Sequence, residues 1–356
     1  MSATPQPSAT DALGEALAVL AHGGRLTEDQ VAGALMQLMH GETSAARAAG
    51  LLMGLRVQGE TGVEVAGAAR ALRAVMRTVA VPAGSTPIDT AGTGGGRVGT
   101  FNVSTAAAFV AAAAGATVAK HGNRSFSSRC GSADVLEALG IDLAVQAERA
   151  EEILRDVGMV FLFAPAFHPA MRFVAPVRRD LAVPTVMNLV GPLVNPAGAR
   201  HQVVGVADRA RGPVMADALA RLGAAHAMVV HGEAGMDEIA PRGPTRVWEV
   251  RDGVVNEWTV DPAGVGVAAV DLDALRGGDP SENAARIERL FRRPDADAAG
   301  RAATILNAAA ALRVAGVADS LGDGVERAAA ALAEGRAMAV LDAMRRASPA
   351  LTSSAE

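Results

Sequence analysis

The sequence predicts an α/β protein in which a small N-terminal helical domain precedes a larger α/β domain with a mainly parallel sheet. Two observations carry this prediction. The periodic segments between residue 11 and about residue 80 have helical spacing, and beyond them short apolar runs alternate with helical patterns. Such alternation is typical of buried parallel strands covered by helices. With 356 residues, the chain is long enough for one large domain and a smaller one.

The first segments predict about four helices and no strand. Leu13, Leu17 and Leu20 share one helical face, and Thr27 with Gln30 forms a capping box at the start of the second helix. Two further runs with helical spacing follow, SAARAAGLLMGLRVQG and VEVAGAARALRAVMRTV. We therefore expect the N-terminal domain to be a helical bundle.

Five short apolar runs predict the strands of the parallel sheet, in the order PIDT, ATVAK, MVFLFA, HQVVGVA and HAMVVHG. Between the third and fourth lies a stretch of helical pieces interrupted by prolines, which could return to the first domain. TRVWEVRDGVVNEWTV predicts a hairpin that turns at Asp252 and Gly253, and the rest of the chain to about residue 346 is mostly helical.

These elements predict the domain borders. The helical domain comprises residues 10–82 and about 172–195, and the α/β domain comprises residues 83–171 and about 196–348. Residues 1–9 and 349–356 are predicted to be flexible ends.

Composition favours a small-molecule partner. A formal charge of −5 and a pI near 5.9 give no overall attraction for nucleic acid or for an anionic membrane. The longest nearly apolar run, residues 106–119, is too short to span a bilayer and is interrupted by Gly115. With a single cysteine, Cys130, the chain can form no internal disulfide. We expect a cytoplasmic protein.

A glycine-rich loop follows the first predicted strand, with glycines at positions 92, 94, 95, 96 and 99. The helix after it has Asn102 and Ser104 as N-cap candidates and Gly115 as its stop signal. Free N–H groups and the positive end of a helix dipole then face a loop that an anion can approach closely, which predicts a phosphate site. A tight turn is the alternative for a lone glycine loop. Although the spacing GxGxxG is present, no acidic residue follows about 20 positions on, and the lysine of a P-loop is missing.

A second polar cluster follows the next predicted strand. Lys120, His121, Asn123 and Arg124 stand at its end, and Ser127, Ser128, Arg129 and Ser132 precede another helix. Because carboxyl ends of adjacent parallel strands meet in one crevice, both loops should line it, which suits a ligand with phosphates at two ends. Each cation alone is more often a solvated surface charge.

Two adjacent carboxylates, Asp237 and Glu238, follow the fifth predicted strand and should lie at the same edge. Adjacent carboxylates on a loop are usually only solvated. Beside a polyphosphate, however, they are suitable ligands for Mg²⁺, together with phosphate oxygens and water.

These motifs resemble one family closely, that of the anthranilate phosphoribosyltransferases, the second committed enzymes of tryptophan biosynthesis. The resemblance covers nearly the whole chain, with the motifs GTGG, TFNVST, KHGNRSFSSRCGSADVLEALG, FHPAMRFVAPVRR, NLVGPLVNPAG, VVHGEAGMDEIAPRGPTRV, LRGGDPSENA and ILNAAAALRVAG. It implies a fold of the nucleoside phosphorylase/phosphoribosyltransferase class and a homodimer formed through the helical domain. It also implies that anthranilate and 5-phosphoribosyl 1-diphosphate (PRPP) give N-(5-phosphoribosyl)anthranilate and pyrophosphate, with one or two Mg²⁺ ions per subunit.

The resemblance also implies site residues, matched position by position. It gives no classical acid or base, and Lys120 would stabilise the leaving group. PRPP would be bound by Gly92, Gly95, Gly96, Thr100, Asn102, Val103, Ser104, Thr105, Lys120, His121, Gly122, Asn123, Arg124, Ser127, Ser128 and Ser132. Anthranilate would meet Gly92, Asn123, His168 and Arg178, and the metal would meet Ser104, Asp237 and Glu238.

Four positions depart from the family pattern or need comment. Gly96 stands where the family usually has Asp, so we expect a different metal stoichiometry or Mg²⁺ optimum. Phe167 and Phe173 replace residues that are often polar, which predicts a more apolar outer route for anthranilate. Cys130 is interpreted as a packed thiol rather than a nucleophile.

Two other interpretations stay open at this point. One is a related enzyme on the same scaffold, either a pyrimidine nucleoside phosphorylase or a transferase for another aromatic amine; the motifs HPAMR and VRR argue against the phosphorylase. The other is a non-catalytic nucleic-acid-binding paralogue, which should lack the PRPP and metal residues and carry a basic face. This chain keeps those residues and is acidic overall.

Overall fold

The structure, a computed structural model, describes residues 11–96, 98–125 and 129–349. The predicted PRPP-binding residues Ser127 and Ser128 lie outside this part, as do the predicted flexible ends except for Pro349, which forms a bridge with Ile141.

The N-terminal segment folds as four helices, as its periodicity predicts: α1 (Ala12–Ala21), α2 (Glu28–Met39), α3 (Ala45–Gln58) and α4 (Gly62–Val75). The predicted capping box at α2 is present. Gln30 N donates to Thr27 Oγ1 at 3.2 Å, and Thr27 N donates to Gln30 Oε1 at 2.9 Å. These two bonds satisfy backbone donors that a helix start otherwise leaves unpaired.

The sheet has the seven strands that the sequence predicts: β1 (Pro87–Gly92), β2 (Thr117–Gly122), β3 (Met159–Phe163), β4 (His201–Gly205), β5 (His226–Gly232), β6 (Thr245–Arg251) and β7 (Val254–Val260). Their order is β3-β2-β1-β4-β5-β6-β7. Strands β1 to β5 pair parallel with one another, and at one edge β6 pairs antiparallel with both β5 and β7. Asp252 (φ 48°) and Gly253 (φ 80°) form the predicted hairpin turn.

The remaining helices cover the sheet and line its ends. They are α5 (Val103–Ala113), α6 (Ser132–Ala138), α7 (Leu143–Glu148), α8 (Ala150–Val157), α9 (Ala164–Phe167), α10 (Ala175–Leu181), α11 (Arg211–Arg221), α12 (Pro280–Arg292), α13 (Ala298–Val314), α14 (Leu321–Ala333) and α15 (Arg336–Ala347). Among the described residues, no helix is both long and apolar enough to cross a membrane.

The two faces of the sheet carry different cores. On one face, α5 packs against α13, α14 and α15 around residues such as Phe109, whose ring meets that of Phe291 edge-on with centroids 5.8 Å apart. On the other face, one apolar cluster joins the N-terminal helices to α11 and to the sheet residues Val229 and Trp248. The helical bundle is therefore attached to the sheet through a shared core.

The segment between β3 and β4 packs into that same cluster. Val174, Val186 and Leu193 are buried there with residues of α2, α3 and α4. Arg73 of α4 donates from Nε to the carbonyl of Leu193 at 2.7 Å. The segment thereby ties the helical bundle to the carboxyl edge of the sheet.

Candidate active site

Four neighbouring parallel strands end in glycine, and the predicted site residues follow them. The last residues of β2, β1, β4 and β5 are Gly122, Gly92, Gly205 and Gly232. Small residues at these four ends let the following loops lie close to one another. A Cβ at Gly205, for example, would lie 1.6 Å from the carbonyl oxygen of Asp237, so only glycine fits there.

The glycine-rich loop after β1 borders open space. Gly94 and Gly95 have φ angles of 69° and 84°, in the left-handed region that favours glycine. A Cβ at either position would meet no atom within 4 Å. The loop thus has the conformation and the free space that a bound anion needs.

The start of α5 differs in one detail from the sequence prediction. Asn102 is the N-cap residue, but its φ is 64° and its side chain makes no capping bond. Instead it donates to the carbonyl of Cys130 at 3.1 Å and accepts from Asn283 of α12 at 2.9 Å. The first turn is bonded by the carboxylate of Glu238, whose Oε1 accepts from Ser104 N at 3.2 Å.

The predicted PRPP residues in the first turn of α5 lie partly or fully inside the protein. Val103 and Thr105 are fully buried, and Ser104 is partly exposed. Thr105 Oγ1 has no hydrogen-bond partner in the described part of the chain.

Lys120 is buried beneath this helix start. Its Nζ donates to the carbonyl oxygen of Thr90 and lies 3.5 Å from Ser104 Oγ. Burial lowers the pKa of Lys120, while the negative charges of Asp89 and Glu238 oppose that shift. The amine of Lys120 thus lies between β1 and the start of α5, next to the strand that leads into the glycine-rich loop.

Asp237 and Glu238 lie between the glycine-rich loop and α5. Glu238 is 7% exposed, and its Oε2 accepts from Thr100 Oγ1 at 3.0 Å. Burial, together with the neighbouring Asp237 carboxylate, raises the pKa of Glu238 to about 8. Burial also raises the pKa of Asp237, which accepts a hydrogen bond from the backbone of Gly94. A half-buried and a buried carboxylate side by side favour a cation between or beside them.

The oxygen atoms that could serve as metal ligands beside the glycine-rich loop fit Mg²⁺. The available oxygens come from Asp237, Glu238 and the hydroxyls of Ser104 and Thr100, and Mg²⁺ prefers oxygen ligands. Nowhere in the described residues do three or more His, Cys, Asp or Glu side chains form a cluster that could hold a metal. This suits an ion that is bound by one or two carboxylates and completed by ligand phosphates and water.

Of the predicted anthranilate residues, Gly92 ends β1, Asn123 follows β2, and His168 and Arg178 lie in the segment that follows β3. His168 lies against His121, which was predicted to bind PRPP. The buried rings of His121 and His168 meet with their Nε2 atoms 3.2 Å apart, and His121 Nδ1 contacts the carbonyl of Gly191 at 3.1 Å. Burial lowers the pKa of His121 to about 3 and that of His168 to about 4, so both rings are neutral at neutral pH. Arg178 on α10 is half-buried and forms no ion pair among the described residues, and burial lowers its pKa.

The loop between β2 and α6 matches the sequence prediction only in part. Ser132 Oγ donates to the carbonyl of Asn123 at 3.3 Å, so these two predicted PRPP residues adjoin. Arg124, which was expected to face the phosphates, instead donates to Glu137 at 2.7 Å and to Asp134 at 3.1 Å. Its guanidinium lies over the ring of Phe163. Two acidic residues one turn apart on α6 therefore hold this cation away from the glycine-rich loop.

Neither Phe167 nor Phe173, which flank the motif HPAMR, lies where the apolar route for anthranilate was predicted. Phe167 is 1% exposed and packs in the core beside β3, in the same apolar cluster as Leu162 and Val79. Phe173 packs over Gly41 at the end of α2, in a groove of about 310 Å³ that no predicted anthranilate residue lines. The expected apolar route for anthranilate is therefore not formed by these residues.

Cys130 is largely buried, and burial raises the pKa of its thiol to about 11. A thiol in this state is a poor nucleophile. The interpretation of Cys130 as a packed side chain agrees with this environment.

Sequence reasoning missed Asp89, a fully buried carboxylate in β1. Its oxygens accept from His121 N at 3.1 Å and from Asn195 Nδ2 at 2.8 Å. Burial raises its pKa to about 6. The signal in the sequence was an aspartate inside the apolar run PIDT. A buried strand tolerates a carboxylate only where that carboxylate has hydrogen-bond partners. Asp89 and Asn195 together connect the segment before β4 to the strand that carries Lys120 and His121.

Comparison with known proteins places this geometry in a family. The model of the α/β domain of a glycosyl transferase family matches residues 84–338, and that of its helical bundle domain matches residues 14–76. Anthranilate phosphoribosyltransferase of Roseiflexus sp. (strain RS-1) is 48% identical over 324 residues, which are 91% of this chain and 94% of the relative.

Two solved structures are similar over nearly their full length. Anthranilate phosphoribosyltransferase from Thermus thermophilus is 46% identical with a TM-score of 0.87, over 94% of this chain and 98% of that one. The enzyme from Saccharomyces cerevisiae, solved in complex with PRPP and Mg, is 24% identical with a TM-score of 0.85, over 95% and 98% of the two chains. The second similarity shows the fold alone.

Proposed function

We infer that this chain, which belongs to the anthranilate phosphoribosyltransferase family, transfers the 5-phosphoribosyl group of PRPP to the amine of anthranilate. The products are N-(5-phosphoribosyl)anthranilate and pyrophosphate. The observation that carries this function is the meeting, at one sheet edge, of an open glycine-rich loop, a buried lysine and the two adjacent carboxylates of Asp237 and Glu238.

We propose that PRPP lies along the glycine-rich loop and the start of α5. Gly95 leaves room for its diphosphate, and Gly92 and Gly96 let the Asp237 carboxylate lie close to the loop. Asn102, Ser104 and Thr105 offer polar groups at the helix start. The second polar cluster, with Asn123 and Ser132, takes the other part of the ligand. Arg124 would join it only after releasing Glu137.

Asp237, Glu238 and Ser104 would hold Mg²⁺ at the diphosphate, and one or two ions per subunit are compatible with this donor set. When bound, the metal supplies positive charge that offsets the charge on the departing pyrophosphate. Lys120 adds a fixed ammonium from beneath α5, and its cost of reorganisation is low because the protein already holds it in place.

Anthranilate needs positioning more than activation, because its aromatic amine is already neutral at pH 7. We propose that Arg178 binds the carboxylate, since a planar guanidinium can pair with both oxygens. The neutral rings of His121 and His168 and the side chain of Asn123 would orient the aromatic ring and amine. We expect an oxocarbenium-like transition state with inversion at the ribose carbon and no covalent enzyme intermediate.

We also propose the quaternary and domain arrangement. The helical bundle, with residues 172–195 packed against it, would form the interface of a homodimer and a small domain beside the α/β domain. The support is the shared burial of Val174, Val186 and Leu193 with the bundle helices. Analytical ultracentrifugation should give twice the mass of 36.0 kDa; a monomer at assay concentration would contradict this arrangement.

The acceptor is tested by measuring pyrophosphate release from PRPP with anthranilate, with aniline and with uracil. We expect release with anthranilate and little with aniline, which lacks the carboxylate. Arg178→Gln should raise the KM for anthranilate about tenfold or more and leave the KM for PRPP unchanged. Phosphate-dependent cleavage of thymidine, with no release from anthranilate, would favour the nucleoside phosphorylase instead.

A further inference from the structure

Helix α13 carries a buried carboxamide in an otherwise apolar setting. Asn307 lies in the run ILNAAAAL, is 5% exposed, and is followed directly by a run of buried alanines. A buried carboxamide lowers stability unless its donors and acceptor are bonded. The sequence motif that contains Asn307 marks the family but has no place in the phosphate, acceptor or metal sites described above.

The side chain of Asn307 forms hydrogen bonds with both the N–H and the carbonyl of one residue, Ile239. Its Oδ1 accepts from Ile239 N at 2.9 Å, and its Nδ2 donates to the carbonyl of Ile239 at 3.0 Å. The second Nδ2 proton is donated to Ala303 O, one turn earlier in α13, at 2.9 Å. Every donor of the carboxamide is thus satisfied, and two of its three bonds lie on a loop far away in sequence.

Ile239 directly follows the two carboxylates at the phosphate site. The opposite side of this short stretch is closed by β4, because the carbonyl of Asp237 lies against Gly205 so closely that no Cβ would fit. The backbone from Asp237 to Ile239 is therefore held between β4 and α13. The side chains of Asp237 and Glu238 then point back to Gly94, Thr100 and the start of α5.

We propose that Asn307 is a positioning residue that fixes the backbone carrying Asp237 and Glu238 in the geometry needed to bind the metal–PRPP complex. The inference rests on the metal-binding role proposed above for these two carboxylates. Asn307 itself contacts neither carboxylate through any described hydrogen bond, so it acts through Ile239.

The chemistry of the side chain suits this task. An amide both donates and accepts, so it can bind the N–H and the C=O of one residue at the same time. Aspartate could not donate to the carbonyl of Ile239, and it would add a third buried negative charge near two carboxylates whose pKa values are already raised. Leucine or alanine would leave two buried backbone groups of the loop unpaired.

The test compares Asn307→Ala and Asn307→Ser with a matched control in the same helix. Thr304 is fully buried one turn away, and its Oγ1 has no hydrogen-bond partner among the described residues, so Thr304→Val changes the core without touching the loop. Serine is included because its smaller polar side chain admits water, which keeps the chain folded if alanine does not. Circular dichroism and thermal melts establish that each variant is folded.

The first readout is binding, independent of turnover. Mn²⁺ is titrated into each protein in the presence of PRPP, and bound Mn²⁺ is followed by electron paramagnetic resonance. We expect the Asn307 variants to bind Mn²⁺ about tenfold more weakly than the unchanged protein, and Thr304→Val to bind it equally. In assays the Mg²⁺ concentration for half-maximal activity should rise by a similar factor, with an unchanged KM for anthranilate.

The outcomes separate this inference from the proposal on which it rests. If Asp237→Ala weakens Mn²⁺ binding but both folded Asn307 variants bind as the unchanged protein does, the positioning role is wrong. If Asp237→Ala itself leaves Mn²⁺ binding unchanged, the metal assignment fails and the role of Asn307 fails with it. A loss of binding that is equally large in Thr304→Val would show a general weakening of α13 and would also overturn the inference.

Discussion

Lys120 is held in the interior by oxygen atoms rather than by a direct ion pair. Its ammonium contacts Thr90 and Ser104, and no carboxylate forms a salt bridge with it among the described residues. The contact with Ser104 places the ammonium at the start of α5, where a ligand is proposed to bind. Burial lowers the pKa of Lys120, and the nearby carboxylates of Asp89 and Glu238 oppose that shift.

Replacing this lysine tests whether it acts on the leaving group. In Lys120→Met we expect kcat to fall by about 10²-fold or more, because charge stabilisation in the transition state is lost, while the KM for anthranilate changes little. Steady-state kinetics with both substrates measures this. A rise in the KM for PRPP alone, with kcat intact, would show that Lys120 only binds the ground state.

Gly96 is a second residue whose replacement should change the Mg²⁺ requirement. A Cβ at this position would lie 2.7 Å from Asp237 Oδ1, so the carboxylate of Asp237 occupies the space that a larger residue would need. In Gly96→Asp a third carboxylate should make the site bind cations more tightly. We therefore expect the Mg²⁺ concentration for half-maximal activity to fall about three- to tenfold.

The comparison variant for this change is Gly96→Ala, which displaces Asp237 without adding charge. A shift seen only with aspartate is due to charge, and one seen with both is due to the displacement. An unchanged Mg²⁺ response in Gly96→Asp would refute the expectation that Gly96 alters the metal requirement of this chain.

At the level of elements, β5, β6 and α13 are joined by a polar network far from the site edge. Glu249 of β6 accepts from His226 of β5 at 2.8 Å and from Arg313 of α13 at 2.9 Å. Trp258 Nε1 donates to its second oxygen at 2.8 Å. The hydrogen bond from His226 and the charge of Arg313 lower the pKa of Glu249 to about 2.

This network predicts a specific acid sensitivity. Because the folded-state pKa of Glu249 lies below its ordinary value of 4.5, its stabilisation is complete above about pH 4.5 and is lost as the pH falls towards 2. Glu249→Gln should lower the free energy of unfolding at pH 7 by about 1–3 kcal/mol, and the difference should shrink below pH 4.5. Urea unfolding at several pH values measures this; a difference independent of pH would contradict it.

The elements themselves could be predicted from the sequence because their signals are local. Apolar runs, the capping box at Thr27 and the turn at Asp252 are each set by neighbours in the chain. The site edge could also be predicted, because parallel strands must bring their carboxyl ends together. The partners that side chains take from other helices could not be predicted: Arg124 pairs with Glu137 of α6, and Asn102 pairs with Asn283 of α12. No local sequence pattern indicates these partners.

At the scale of the whole molecule, the helical bundle and the sheet share one core. Leu35 and Leu52 of the bundle belong to the same apolar cluster as Val229 and Trp248 of the sheet. Arg211 of α11 also donates to the buried Glu60, beside α4, at 2.9 Å. The two parts are therefore coupled in stability although the sequence suggests two domains.

Such coupling predicts cooperative unfolding. Far-ultraviolet circular dichroism, dominated by the helices, and tryptophan fluorescence, which reports Trp248 and Trp258 on the sheet, should give coincident denaturation curves. Helical signal that is lost at clearly lower denaturant than the fluorescence signal would show that the bundle unfolds separately.

We propose that this sheet edge transfers phosphoribosyl to anthranilate with the help of Asp237 and bound Mg²⁺. The most direct measurement is the loss of anthranilate fluorescence with purified protein, PRPP and a series of Mg²⁺ concentrations, beside the Asp237→Ala variant. We expect a loss that requires both PRPP and Mg²⁺ and that falls by about 10²-fold or more in the variant. No loss at any Mg²⁺ concentration from the folded protein would contradict the proposed transfer, and an undiminished rate in Asp237→Ala would contradict the proposed role of Asp237.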